Sequence, residues 1–322
     1  MKAAVVDRYG PPEVVQIREV PKPVPSDNEI LVRIRTTTVN SGDARVRALR
    51  VPRGLGLLMR FGMGFNGPKT KIGGFEAAGV VEAVGANVTR FKPGDRAVGS
   101  HGFKFGLHAE FATFAETDAI VAIPDGLSDA AAVAVLFGGA TSRFFLARGG
   151  LKAGERLLIN GASGAVGVYA IQLAKLAGAH VTAICSAANA EFVRGLGADE
   201  VIAYDREDFI RGGKTYDVIM DNHGNAPYAR VKHMLKPGGR FLMVIGDLWQ
   251  MIEARWSPAV VASGDDNESA VSIESYSELL DLAAKGAIKP VIDRVFPFEQ
   301  IVEAHRLVDS GRKRGSAVVA VG

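Results

Sequence analysis

The chain has 322 residues, 48% hydrophobic and 23% charged, which suits about two domains with a sizeable core and excludes general disorder and fibrous repeats. Its 38 Lys+Arg against 35 Asp+Glu leave a net charge of +3, no argument for nucleic acid or an anionic membrane as partner. The single cysteine, Cys185, excludes a disulfide framework and a cysteine-based zinc knot, whereas 38 glycines point to tight turns or to backbone lying against a ligand.

The start, MKAAVVDRYGPP, puts Asp7 and Arg8 where a signal peptide needs its apolar stretch, so a soluble cytoplasmic protein is expected. The first 125 residues then read mainly as β. In 29–35, Ile30, Val32 and Ile34 alternate with Leu31, Arg33 and Arg35, the period of a half-buried strand. Residues 79–85 form a second β-rich run, 92–95 (KPGD) a turn, and 96–98 and 121–124 further short strands. The uncharged run 130–140 lies in an alanine-rich helical stretch and is too short to span a bilayer.

From about residue 152 strands and helices alternate. Strands are expected at 155–160, 180–185, 200–204, 216–222 and 239–245, with helices at 165–177 and 191–197. Such alternation predicts parallel βαβ units in a doubly wound α/β sheet. The tail departs from it: a helix at 276–285, an extended run at 289–296, a helix at 298–309 and a strand at 316–321. Segments 47–71 and 247–267 stay unassigned.

The most informative stretch is 159–167, INGASGAVG, which ends a strand and opens a helix. Ala162, Gly164 and Gly167 give A-x-G-x-x-G, one methyl from the dinucleotide fingerprint, and Gly161 precedes them. Gly164 would let backbone approach a pyrophosphate, and Gly167 would let helix pack on strand. The amides of Ser163, Gly164, Ala165 and Val166 then face the anion at the helix N-terminus. The second strand ends in Cys185-Ser-Ala-Ala-Asn189, without the carboxylate that binds the ribose of NAD. NADPH is therefore the expected cofactor, with Ser186, Asn189 and Tyr204 near its 2′-phosphate, although neither Arg nor Lys stands immediately there.

Together the motifs at 39–43 (VNSGD), 78–85 (AGVVEAVG), 90–95 (RFKPGD), 158–167, 172–175 (QLAK), 196–199 (LGAD), 289–294 (KPVIDR) and 303–305 (EAH) carry a family resemblance. The sequence resembles the zinc-independent quinone oxidoreductases of the medium-chain dehydrogenase/reductase superfamily. The resemblance implies a GroES-like β-rich catalytic domain (1–124 and 286–322), a Rossmann domain (125–285), an active site between them, and a homodimer formed through the Rossmann sheets.

Zinc-dependent relatives take a Cys from the early loop, a His from Gly-His-Glu and a third ligand near the Rossmann domain. Here those stretches read Asn40 within 39–43, Gly74-Phe75-Glu76, and a 132–141 segment without Cys, His, Asp or Glu. Asp43 and Glu76 alone fall short of the roughly three protein ligands that zinc takes. His101 and His108 read as solvated imidazoles of a glycine-rich loop. Without a metal, the acceptor must carry the developing charge itself, as quinones and α,β-unsaturated carbonyls do by delocalisation.

The resemblance places Asn40 at the nicotinamide–substrate site, with Asp43 ordering its loop and His223 as a further polar candidate. Thr141, Asn222 and Gly246 complete the cofactor set, and Cys185 is expected to pack at a strand end. Residues 49–65, apolar and rich in glycine, read as a lid over a hydrophobic small-molecule substrate, with a partner surface as the competing reading. The expected function is a metal-free NADPH-dependent quinone or enone reductase, with no nucleic-acid or membrane partner. A zinc-free 2-enoyl-thioester reductase and an NADPH-binding sensor without turnover stand as alternatives.

Overall fold

The computed structural model describes residues 1–51, 54–262 and 270–322. Strands β1 (Lys2–Val6) and β2 (Val15–Glu19) pair antiparallel as a small sheet. The strand expected at 29–35 extends to β3 (Glu29–Val39), but the alternation holds only around exposed Arg33 and Arg35: Leu31 is buried with Ile30 and Val32, and Thr36, Thr37 and Thr38 are buried in succession between neighbouring strands. Helix α1 (Ser41–Ala48) ends just inside the unassigned 47–71 segment, and α2 (Gly56–Met63) lies within it. Strands β4 (Glu76–Val84), β5 (Arg96–Ser100), β6 (Phe111–Ala115) and β7 (Ala119–Ala122) follow.

Helix α3 (Asp129–Arg148) then crosses between the two halves, packing on β3, β4, β5 and β15 as well as on α4 and α8, defined below. By length and composition it is apolar enough to cross a bilayer, with a mean hydropathy of 1.6, which corrects the reading of the 130–140 run. Its apolarity has another use here: 61% of that window is buried, with Val135 and Leu136 packed against Tyr169 and Leu279.

The second half alternates as expected: β8 (Arg156–Asn160), α4 (Gly167–Leu176), β9 (His180–Cys185), α5 (Ala190–Gly195), β10 (Glu200–Ala203), β11 (Tyr216–Asp221), α6 (Tyr228–Val231), β12 (Leu235–Met243), α7 (Leu248–Trp256) and β13 (Val260–Ala262). All strands run parallel in the order β10-β9-β8-β11-β12-β13, so the winding reverses between β8 and β11. At such a reversal the loops beyond the strand ends part and leave a ligand crevice. Part of the second unassigned segment, 263–267, lies outside the described residues, as does Arg53 of the expected lid.

After α8 (Ile273–Ala284) the chain returns to the first sheet through β14 (Ile292–Pro297), α9 (Ile301–Asp309) and β15 (Ser316–Ala320). That sheet runs β14-β15-β3-β4-β5-β7, with β6 also on β3; β15 pairs antiparallel with β3, Ala317 opposite Val39. This return explains why the tail departs from βα alternation. Where ends differ from the sequence reading, local caps are responsible. Ser272 accepts from the Ser275 amide and starts α8 before Tyr276, and residues 161–166 form a turn, so α4 starts only at Gly167.

Candidate active site

At the end of β8 the chain turns sharply through Gly161, whose φ of +76° suits glycine. A Cβ on Gly167 would stand 2.3 Å from the Gly161 oxygen and 2.6 Å from the Ala162 carbonyl carbon, so the start of α4 presses directly on the turn. Helix α3 clamps the same loop from outside. A Cβ on Gly138 would lie 1.9 Å from the Ala165 oxygen, and Ser142 donates to the Val166 carbonyl at 2.7 Å. Gly164 is the opposite case: a Cβ there meets only the Gly161 oxygen, at 3.5 Å. The expected row of amides is corrected at one position. Gly164 donates back to Gly161 at 3.3 Å, while among the described residues Ser163, Ala165 and Val166 show no backbone acceptor.

Across the reversal, β11 ends in Asp221, a residue the sequence reading passed over. Its carboxylate is 1% exposed and accepts from the Asn160 side chain at 2.8 Å, from the His223 and Gly224 amides at 3.0 Å each, and from the Ala226 amide at 3.1 Å. It thereby shapes the loop carrying Asn222, His223 and Gly224. Asn222 sits against Gly161, and both polar atoms of its amide are buried without a partner. A buried amide left unmade costs about 1–3 kcal/mol, so this one calls for a ligand. His223 is exposed beside the same turn.

The outer end of the crevice is assembled from distant segments. Asn189 donates to the Ser163 hydroxyl at 3.1 Å. Arg314, 125 positions further on, donates to the Asn189 oxygen at 2.6 Å and to the Ala188 carbonyl at 3.0 Å. The missing base thus arrives from the tail, and nothing near Ser186 in sequence could have signalled it. Ser186 is half-buried next to these groups, and Tyr204 is exposed at the end of β10, its amide on the Cys185 carbonyl at 3.0 Å. Asp205, the nearby carboxylate, is engaged by the Ala187 amide at 2.9 Å. Cys185 itself is buried, and that burial pushes its thiol up to about 11.

On the facing half, Asn40 caps α1. Its oxygen accepts from the amides of Gly42 and Asp43 at 2.8 and 3.1 Å, and the Asp43 carboxylate takes the Asn40 amide at 2.9 Å. Asp43 also accepts from Gly74 at 3.1 Å, tying the loop to the approach of β4. Its pKa is raised by burial, against the pull of His108. Asn40 Nδ2 is buried without a well-formed hydrogen bond and lies beside the Glu76 carboxyl. Glu76, the first residue of β4, accepts from the Thr38 hydroxyl and is 2% exposed; burial pushes its carboxyl up to about 8.

The two histidines are not solvated, which corrects the sequence expectation. His108 is 2% exposed and bonds the Thr38 carbonyl at 2.9 Å, while both ring nitrogens of His101 bond carbonyls, those of Phe105 and Thr113. Thr141 bonds back to Phe137 within α3 at 2.7 Å. Gly246 lies three residues beyond β12, and a Cβ there meets the Met243 sulfur at 2.5 Å. The expected lid exposes Leu57, Leu58 and Phe61 on α2, and the loop before it reaches across the cleft to Leu248 of α7, 3.0 Å from a Cβ on Gly54.

The residues present fit a dinucleotide: an orphaned amide, a glycine turn and a distal arginine follow one crevice. They do not fit zinc, because among the described residues no three or more His, Cys, Asp or Glu converge as ligands. Residues 26–125 match the alcohol dehydrogenase GroES-like domain, and 196–319 match a domain described as zinc-binding dehydrogenase. The chain is 31% identical to the mitochondrial NAD(P)H oxidoreductase RTN4IP1 of Mus musculus, covering 100% of this chain and 89% of that protein. It is 32% identical to the chloroplast envelope quinone oxidoreductase homolog of Arabidopsis thaliana, covering 94% and 92%. Among solved structures, the quinone oxidoreductase from Coxiella burnetii superposes with a TM-score of 0.89 at 27% identity, over 100% of this chain and 99% of that one.

Proposed function

Because this chain belongs to the quinone oxidoreductase family of the medium-chain dehydrogenase/reductase superfamily, we propose that it reduces a quinone or an α,β-unsaturated carbonyl at the expense of NADPH. The observation that carries the reading is the partnerless Asn222 amide beside the Gly161 turn, at the reversal of the parallel sheet. NADPH, when bound, supplies the hydride from its nicotinamide. The loop amides of Ser163, Ala165 and Val166 would hold its pyrophosphate, Asn222 its nicotinamide end, and Thr141 and Gly246 would complete the cofactor set. Asn40, fixed by its capping box with Asp43, offers Nδ2 to an acceptor oxygen. The exposed apolar side chains of α2 and α7, whose segments meet at Gly54 and Leu248, would line the acceptor's approach, so that rate would come mainly from holding donor and acceptor close. The dinucleotide-binding unit is taken as 125–285, inserted between 1–124 and 286–322, and the enzyme as a cytoplasmic homodimer.

An acceptor panel run with NADPH and NADH side by side tests the reading. Oxidation with quinones or enones is expected; oxidation only with 2-enoyl thioesters would support the alternative reductase, and binding without turnover a sensor. Asn40→Ser keeps a good N-cap yet removes the amide donor without adding a charge beside buried Asp43 and Glu76. It should lower turnover at least about tenfold with little change in melting temperature, and unchanged turnover with quinones removes Asn40 from the site.

Preference for NADPH is supported by Arg314. Its guanidinium, on the Asn189 loop, would meet a 2′-phosphate with charge-assisted bonds worth about 1.5–3 kcal/mol. Arg314→Glu, like Ser186→Asp, should weaken NADPH binding about 10- to 100-fold and leave NADH nearly unchanged. Equal losses in a fluorescence titration with both cofactors would sink this assignment.

A further inference from the structure

The net charge of +3 conceals an uneven distribution. Residues 44–75 hold seven Arg and Lys and no Asp or Glu, so the remainder of the chain is net −4. Of the seven, Arg47 and Arg50 pair with Asp309, Lys71 lies 3.9 Å from Asp7, and Arg53 lies outside the described residues. Arg60 in the last turn of α2 and Lys69 just beyond it are exposed, and among the described residues neither pairs with a carboxylate. They donate instead to backbone carbonyls of the same segment, Arg60 to Phe65 and Lys69 to Phe61 at 3.0 Å.

Beside these cations the apolar side chains turn outward. Leu57, Leu58 and Phe61 are 67%, 66% and 61% exposed, and Phe61 meets the exposed Phe65 edge-on, ring centres 4.9 Å apart. Helix α7, which meets this segment where Gly54 approaches Leu248, also turns apolar side chains to solvent. Its Trp249, Ile252 and Trp256 follow the i, i+3, i+7 spacing of one helix face, and the two indoles are 71% and 85% exposed. They are the only two tryptophans of the chain. Glu253 and Arg255 flank that stripe and balance each other in charge.

We propose that this face docks the enzyme on an anionic lipid bilayer, with Arg60 and Lys69 among the headgroups and Leu57, Leu58, Phe61 and the two tryptophans at the acyl boundary. Leucine and aromatic side chains beside basic ones are the chemistry of an interfacial helix. Tryptophan suits that depth, because its ring is apolar and its N–H can stay in water. A second copy of the chain is a poorer occupant, since a two-fold contact centred on α2 would set Arg60 and Lys69 against their own equivalents. A lasting protein partner would also cover the acceptor's approach, whereas a bilayer both covers the apolar surface and dissolves an apolar acceptor. The proposal rests on the reductase reading above and assigns a lipid-soluble quinone as the acceptor class.

The test uses vesicles of phosphatidylcholine alone and vesicles with about one-third phosphatidylglycerol, read by sedimentation and by the emission of the two indoles. Wild type should bind the anionic vesicles at least about tenfold more tightly than the neutral ones, with its emission moving to the blue. Salt at about 1 M should weaken that binding by screening the charges. The double variant Arg60→Gln with Lys69→Gln should bind anionic vesicles at least about tenfold more weakly and still reduce a water-soluble quinone at the wild-type rate. Trp256→Ser should also bind more weakly. Equal affinity for neutral and anionic vesicles, or binding to neither, overturns the proposal. So does blue emission without lipid in a dimer that Trp256→Ser dissociates, which gives the face to a second copy. A protein that binds anionic vesicles but reduces no quinone, soluble or lipid-dissolved, upholds the docking and overturns the reductase reading, so the two failures are distinguishable.

Discussion

Gly167→Ala is expected to remove measurable NADPH binding and to lower stability by at least about 2 kcal/mol, the scale of forced overpacking. The added methyl has nowhere to go. Its carbon would lie 2.3 Å from the Gly161 oxygen and 2.6 Å from two backbone atoms of Ala162, and backbone cannot rotate aside as a side chain can. Relief would require α4 to lift from the turn, but α3 holds the other side of that loop through Gly138 and Ser142. The strain therefore reaches the amides that receive the pyrophosphate. Gly164→Ala provides the contrast. Its methyl meets only one atom, at 3.5 Å, and points into open space. That variant should melt close to wild type and still bind NADPH at least about tenfold more weakly, because the methyl occupies the approach of the phosphates. Thermal melts combined with cofactor titration check both variants, and a Gly167→Ala protein with wild-type melting and affinity would refute the argument.

Asp221→Ala should also be strongly destabilising, by about 4 kcal/mol, although this residue touches no predicted reacting group. The truncation strands the amides of His223, Gly224 and Ala226 and leaves the Asn160 side chain with only its bond to Asn225, at 2.7 Å. Each buried donor left unmade costs about 1–3 kcal/mol, and water entering the gap recovers part of the sum. Asp221→Asn separates charge from geometry. Its oxygen can still take the three donors now on Oδ1, while its NH₂ opposes the Ala226 amide, so it should lose about 1–3 kcal/mol. Urea unfolding measures the loss, and cofactor titration should show weaker NADPH binding in both variants, because Asn222 rides on the same loop. Unchanged unfolding midpoints would mean that the loop holds its shape by other means.

Much of the dinucleotide half was legible because its signals are local. A strand, a glycine turn and a helix within ten residues announce a phosphate site, and β8, β9 and β11 form close to the positions their apolar runs predict. The Asn40–Asp43 loop was legible through its motif, and the capping box gives the physical reason for that spacing, since position three of a helix is where a carboxylate reaches back to the cap. The histidines were misjudged because a glycine-rich stretch says nothing about what lies above it; His108 is covered by β3 and by His305 of α9.

By itself, then, the sequence determined the alternation of elements, the phosphate turn, the absence of a cysteine-based metal set and the family. Local periodicity, backbone freedom at glycine and side-chain chemistry are properties of short segments, and they survive without knowledge of the fold. Only the tertiary structure decided which distant groups share the crevice. Arg314 reaches the Asn189 loop because β15 pairs with β3 while its preceding loop bridges to the glycine turn. Those neighbours are set by strand pairing across more than a hundred residues, and so are burial and the proton affinities that follow from it.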